Sequence, residues 1–371
     1  MSACKLAARP EDGRVTTSSP DSQLAEVQLG CDDLAPALEV FVGQLGFRIE
    51  TIFPADDPQV ASLSGHGLRL RLAPGGDPGV IRMAGAGPSG RGPVIAPNGT
   101  RIEFVDGDPP VDVPPLKAEF LITRAGEGPA GGAGRAGMFY RDLIPGRLGG
   151  RFIASHISIQ SGGPVADWVH FHKIRFQMIF CRKGWARLVY EDQGPPFLMQ
   201  AGDFVLQPPR IRHRVLESSD AFEVVEIGCP ALHETLADHA MDLPTATLAP
   251  DRDFGGQRFL RHVAAKTPWT PHGATGFEAR ESAMAPATGG LADLRVIRPA
   301  GARGFAAPPH DGEFFFGFVL EGSATLHCQG AHALSPTDAF VIPAGEAWGL
   351  SGASADFELL EVMLPAGASA A

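Results

Sequence analysis

Two neighbouring stretches decide the fold: GGPVADWVHFHKIRFQMIFCRKG (162–184) and AGDFVLQPPRIRH (201–213). Both alternate apolar and polar residues between Gly and Pro punctuation, the pattern of short strands joined by turns. Side chains two apart on a strand share a face, so His170 and His172 point the same way. The same alternation turns Arg210, Arg212 and Arg214 away from the face that carries His213, and gives Val215 and Glu217 the parity of His213. Counting from Gln177, Ile179 and Cys181 share its face, and Cys181 reads either as a pocket thiol or as a small core residue.

The pattern occurs twice. QMIFCRKGWARL (177–188) aligns with FFGFVLEGSATL (315–326), and AGDFVLQPPRIRHRVL (201–216) with PTDAFVIPAGEAWGLS (336–351). Asp203 falls on Asp338, Pro208 on Pro343 and His213 on Trp348. Turn residues and hydrophobic alternation coincide in both copies, which implies a duplicated β sandwich or barrel. In the second copy Pro308 replaces His170, His310 retains His172, and Phe315 replaces Gln177. That copy is expected to be structural, with a filled apolar interior built on Phe314, Phe315, Phe316, Phe318 and Trp348. His310, Asp311 and Glu313 are expected in an exposed loop.

Gly163, His170, His172, Gln177 and Gly184, followed by Gly202, Pro208 and His213, resemble the two motifs of the cupin superfamily. Gln177 stands where Glu is commoner in that family, and Arg210 where Gly is usual. The resemblance implies a bicupin of two double-stranded β-helix barrels whose second barrel is degenerate. His170, His172, Gln177 and His213 would then converge inside the first barrel and hold a divalent transition metal, Fe, Mn, Ni, Cu, Co or Zn. An amide in place of a carboxylate leaves the ligand set neutral, which is expected to favour anionic substrates or a metal-bound hydroxide. Bicupins include dioxygenases, oxalate-processing enzymes and sugar-modifying enzymes. The leading expectation is a non-haem metal dioxygenase acting on a small chelating substrate, with Glu217 as a pocket acid or base. A metal-dependent isomerase or lyase of a sugar or small acid, and a non-catalytic small-molecule binding or sensor protein, are the alternatives.

Ahead of the repeat lies a different pattern. LAEVQLGC (24–31) reads as a strand, and DDLAPALEVFVGQLG (32–46) as a helix with Asp32 or Asp33 as N-cap and Gly46 at its end. FRIETIF, VASLS, GLRLRLA and GVIRMAG follow as β-prone segments. The helix and PNGTRIEFV (97–105) resemble one module of the vicinal-oxygen-chelate (glyoxalase) superfamily. That resemblance would put metal ligands at Glu26 and Glu103, but a second module's helix is missing; both are read as surface glutamates, and the domain as a binding or dimerisation module.

The expected fold is therefore mainly β: two cupin-type barrels preceded by a small α+β domain. The expected divisions are a disordered tail over 1–22, the glyoxalase-like domain over 23–122, a linker over 123–138, the metal-binding barrel over 139–245 and the degenerate barrel over 246–371. PALHETLADHAMDL (230–243) reads as a helix bridging the barrels.

Composition limits the partners. A chain of 371 residues with 46 Gly and 33 Pro suits several turn-rich β domains. A net charge of −11 and no basic stripe argue against nucleic acid. No apolar run is long enough for a membrane span, and the first residues lack a secretion signal. Five scattered cysteines, without CxxC spacing, read as reduced thiols of a cytoplasmic protein. A small-molecule substrate and a homodimer are the expected partners.

Overall fold

The structure, a computed structural model, describes residues 24–85, 92–126, 132–133, 137–273 and 275–366. The tail expected over 1–22 and parts of the expected linker lie outside the described residues. The chain divides into two compact units, residues 1–110 and 111–371.

In the first unit, strand Val27–Gly30 leads into a short α-helix, Leu34–Leu38, which continues as a wider π-helical turn over Glu39–Gln44. Leu34, Ala37, Val40 and Phe41 are buried on one side. Gly46 ends the helix at φ +78°, a backbone conformation that costs glycine little. Strands Arg48–Phe53, Val60–Gly65 and Leu68–Ala73 complete a four-stranded sheet in which Val27–Gly30 runs parallel to Leu68–Ala73. A second sheet of three strands sets Val80–Gly85 parallel to Arg101–Asp106. The expected strand and helix are followed by a strand in each of the four segments read as β-prone.

The second unit is two β-barrels, each made of two antiparallel sheets. The first pairs a seven-stranded sheet with a six-stranded one, and the second a seven-stranded sheet with a four-stranded one. Along strand Phe176–Lys183 alternate residues serve two cores. Phe176, Met178 and Phe180 face the other barrel, and Gln177 and Ile179 face the interior of their own. Strand Phe314–Glu321 does the same. Phe314, Phe316 and Phe318 join the core between barrels, and only Phe315 of that aromatic run fills the barrel interior. The sequence reading had put all four inside; strand parity sends three the other way. Phe152 stacks on Phe314 across the junction, with ring centroids 4.2 Å apart. Glu313 accepts from Arg151 Nε at 2.8 Å and Arg175 Nη1 at 2.6 Å, so it ties the barrels together and does not sit in a loose loop.

The barrels also exchange strands. Leu121–Thr123, which precedes the first barrel in sequence, pairs with Ala339–Val341 of the second. Leu260–His262, which precedes the second, pairs with Phe204–Leu206 of the first. Thr123–Ala125, within the segment expected to be linker, is thus part of a barrel, and Thr123 donates to Leu143 O at 2.9 Å.

The helix expected over 230–243 is absent. This segment doubles back as strand Thr235–Ala237, in register with His170–His172. Leu232, which a buried helix face would have covered, is 78% exposed. Tertiary pairing with the histidine strand overrides a periodicity that is weakly helical.

Candidate metal centre

Strand His170–His172 is held between Thr235–Ala237 and His213–Ser218, with His170 directly opposite His213. All three imidazoles are buried, and one ligand atom from each lies within 4.8 Å of the others. Each ring turns Nδ1 to a backbone carbonyl: His170 to Trp168 O at 2.8 Å, His172 to Glu234 O at 3.2 Å, and His213 to Ile211 O at 3.0 Å. A carbonyl only accepts, so Nδ1 carries the proton and Nε2 the lone pair in each neutral ring. Asp167 backs His170 at 3.6 Å and accepts from Val215 N at 3.0 Å. Carbonyl and carboxylate partners behind ring nitrogens are what fix the tautomer and orientation of metal-binding histidines.

Two glutamines complete the polar end of the cavity. Gln177 Nε2 donates to Glu226 Oε1 at 2.6 Å. The carboxylate oxygen can only accept there, so the amide nitrogen is committed and the amide oxygen is the atom left for a metal. Gln207 Nε2 lies 2.7 Å from His213 Nε2, and Gln207 Oε1 is buried with no protein hydrogen-bond partner. An orphaned acceptor beside three imidazole lone pairs is a set of neutral N and O donors that suits a divalent transition ion. The group His170, His172 and His213 can hold such a metal.

The cavity holding these groups has a volume of about 90 Å³. Beyond the polar end its wall is apolar, formed by residues such as Ile157, Ile159, Ile179, Leu188, Met199, Val215 and Val224. Tyr190 stacks on His213 with centroids 5.5 Å apart. Burial pushes its phenol well above the ordinary range, and the charge of Glu226 adds to the shift, so the hydroxyl stays protonated.

Glu217 is not in the cavity. It is exposed and accepts from Arg187 Nε at 3.2 Å. Strand 213–218 carries a bulge: Arg187 pairs with Glu217 but Leu188 pairs with Val215, so one residue is skipped and the parity reverses. Val215 lines the cavity as anticipated; Glu217 turns outward. Cys181 is buried in the barrel core, its thiol pushed up to about 12 by burial and the nearby Asp203. The carboxylate that does line the cavity is Glu226, which lies opposite Ile179 on the neighbouring strand. Counting by twos from Gln177 or His213 could not reach it, because it sits on a strand outside both motifs. Gln207 lies within the second motif and was passed over.

The second barrel keeps the frame and loses the site. Matching strand registers place Phe315 at the position of Gln177, Ile342 at Gln207, Trp348 at His213 and Glu361 at Glu226. Trp348 packs within 4.9 Å of Phe315 and 5.5 Å of Phe305. Gly317 stands where the first barrel has Ile179, and a Cβ there would run into the Phe340 ring that fills the interior. His310 is buried and spent on backbone: its Nε2 meets Ile342 O at 3.0 Å and its Nδ1 accepts from Gly312 N at 3.2 Å. Glu361 pairs with Arg295 at 2.7 Å, where the first barrel has Ser155 facing Glu226.

In the first unit, Glu26 accepts from Ser62 and pairs with Arg69, and Glu103 pairs with Arg101 at 2.9 Å. Neither belongs to a cluster of metal-ligating side chains among the described residues.

Fold and site together define a two-barrel protein with one candidate metal centre among the described residues. Neither a protein-family model nor a curated protein matches the chain. Among solved structures it is similar to a salicylate 1,2-dioxygenase variant from Pseudoaminobacter salicylatoxidans in complex with gentisate: 18% identity over 68% of this chain and 83% of that one, TM-score 0.49. Other similar structures are the protein Ylba from E. coli (11% identity, 68% and 94% coverage, TM-score 0.47) and the Bacillus subtilis oxalate decarboxylase studied for its Mn(II) centres (10%, 61% and 72%, TM-score 0.45). At these identities and TM-scores the reading of the site rests on its own geometry. No helix of the described residues is long and apolar enough to cross a membrane.

Proposed function

We propose that this chain is a metal-dependent oxidoreductase of the dioxygenase type, acting on a small organic chelator inside the first barrel. The observation that carries the reading is the set of three buried imidazoles, each with Nδ1 tied to a carbonyl and its lone-pair nitrogen turned to its neighbours. His170, His172, His213 and the Gln177 amide oxygen would hold the metal. When bound, the ion would supply Lewis acidity and open positions for a chelating substrate and dioxygen. Glu226, held in place by Gln177 at 2.6 Å, is the carboxylate positioned to take a proton from a substrate hydroxyl. Tyr190 remains a neutral donor, and the apolar wall keeps bulk water from the polar end.

The test is metal analysis of protein purified without chelator, followed by oxygen-electrode measurements with catechols and 1,3-dicarbonyls. We expect close to one metal ion per chain and substrate-dependent oxygen uptake that disappears in His172→Ala. Metal content unchanged in that variant would remove the centre. A loaded protein that turned over a chelator without consuming oxygen would favour an isomerase or lyase.

A further inference from the structure

We infer that the substrate of this cavity carries its oxygens at one end and an uncharged hydrocarbon body at the other, so that sugars, sugar phosphates and acids with a carboxylate remote from the metal are excluded. The inference rests on the metal-centre reading and narrows it. Three observations carry it. The first is the wall. Apart from the three histidines, the two glutamines, Glu226 and two tyrosines, the described residues lining the cavity are apolar, and none of them is Lys or Arg. A buried carboxylate or phosphate away from the metal would meet no countercharge among the described lining residues, and burial of an unpaired charge is strongly unfavourable.

The second is where the arginines of this barrel go. Arg212 pairs with Asp238 at 3.1 Å and lies over the Phe171 ring. Arg182 pairs with Glu223 at 2.6 Å, Arg187 with Glu217, and Arg141 donates to Thr337 O at 2.7 Å. Their guanidinium groups are engaged outside the cavity. The third is the comparison between barrels. The inward carboxylate of the second barrel, Glu361, is neutralised by Arg295 at 2.7 Å. At the corresponding place the first barrel has Ser155, so no guanidinium faces Glu226 from that strand and an incoming anion meets a carboxylate there instead of an ion pair. The chemistry that fits is an enol or phenol with a vicinal or 1,3-related second oxygen on an apolar skeleton.

The experiment is ligand binding under anaerobic conditions to protein loaded with Co(II), whose visible bands report ligand entry. Three catechols share one chelating head: 4-methylcatechol, protocatechuate with a remote carboxylate, and dihydroxyacetophenone as its uncharged isostere. We expect 4-methylcatechol to bind best, the acetophenone next, and protocatechuate at least about 100-fold more weakly than 4-methylcatechol. Equal or tighter binding of protocatechuate overturns the inference while leaving the metal centre intact. Protein that takes up Co(II) in a His172-dependent way but binds none of the three overturns it as well. Failure to take up Co(II) removes the centre itself. Replacing Leu188, in the apolar wall, by Lys provides a second reading: provided Co(II) uptake is kept, the preference should shift toward protocatechuate by about tenfold or more.

Discussion

Asp203 and Asp338 occupy the same place in the two barrels, and each clasps the strand segment that the chain has sent across from the other side. Asp203 accepts from Gln200 N at 3.0 Å and from Ala264 N at 2.8 Å, just past strand Leu260–His262. Asp338 accepts from Ser335 N at 3.0 Å and from Ala125 N at 2.7 Å, just past strand Leu121–Thr123. One oxygen thus fixes the local turn and the other the exchanged strand. Arg124 adds a further bond to Asp338 at 3.0 Å.

Asp203→Ala and Asp338→Ala should each leave two backbone N–H groups without their acceptor, at about 1–3 kcal/mol per group where burial is complete. Chemical denaturation should show losses of about 2–4 kcal/mol in both variants. A loss below about 0.5 kcal/mol in either would mean that the clasp is not structural.

The interior of the second barrel gives a paired prediction. Gly317→Ala drives a methyl group into the Phe340 ring and should cost about 1–3 kcal/mol through overpacking. Adding Phe340→Val recreates the small partner that Val205 offers Ile179 in the first barrel, and should recover most of that loss. Additive losses in the double variant, seen in denaturant midpoints, would contradict the packing relation.

Glu226→Gln tests the support behind Gln177 without touching a ring nitrogen. An amide opposite the Gln177 amide no longer fixes which end of Gln177 faces the metal. Metal affinity, measured by competition with a chromogenic chelator, should fall by about 10–100-fold while the circular dichroism spectrum stays native. Unchanged affinity would place Gln177 outside the coordination sphere.

Stability should fall on the acid side of neutrality. Burial holds His156, His262 and His272 below their ordinary value of 6.5. As the pH drops through 6.5 the unfolded chain takes up protons that the folded chain refuses. Their contribution is therefore present above about 6.5 and is lost as pH falls toward the folded values. Each contributes at most about 1.4 kcal/mol per pH unit. Asp293 and Glu358, both raised by burial, oppose this slope from about pH 4 upward, because their folded forms retain a proton longer. Glu223, whose carboxyl is lowered by Arg182 and His156 despite a burial effect in the other direction, adds to the acid loss below 4.5. His262→Gln should flatten the decline in denaturation midpoint between pH 7.5 and 5.5; a slope identical to that of the parent would show that His262 protonates freely in the folded state.

Much of this was legible in the sequence for a physical reason: strand alternation and turn residues are local, and both motifs obey them. Parity puts His170 and His172 on one face, and the resemblance to the two motifs implied that His213 joins them, where the structure has it. Arg210, the departure from the usual Gly, sits at φ +65°, and the second barrel has Gly345 at φ +82° in the same turn. The left-handed position was real even where the residue type concealed it. Glu217 failed because a bulge is a single-residue event that alternation cannot register. Glu226 and Thr235–Ala237 were missed because long-range pairing places them, and nothing in their own stretches announces a partner.

The crossing strands also set an order on synthesis. Leu121–Thr123 emerges long before Ala339–Val341, with which it must pair, and the first barrel cannot close its sheet until Leu260–His262 has been made. A nascent chain halted between the barrels would therefore hold an unpaired strand, Leu121–Thr123, awaiting Ala339–Val341, and an open sheet edge at Phe204–Leu206 awaiting the residues just ahead.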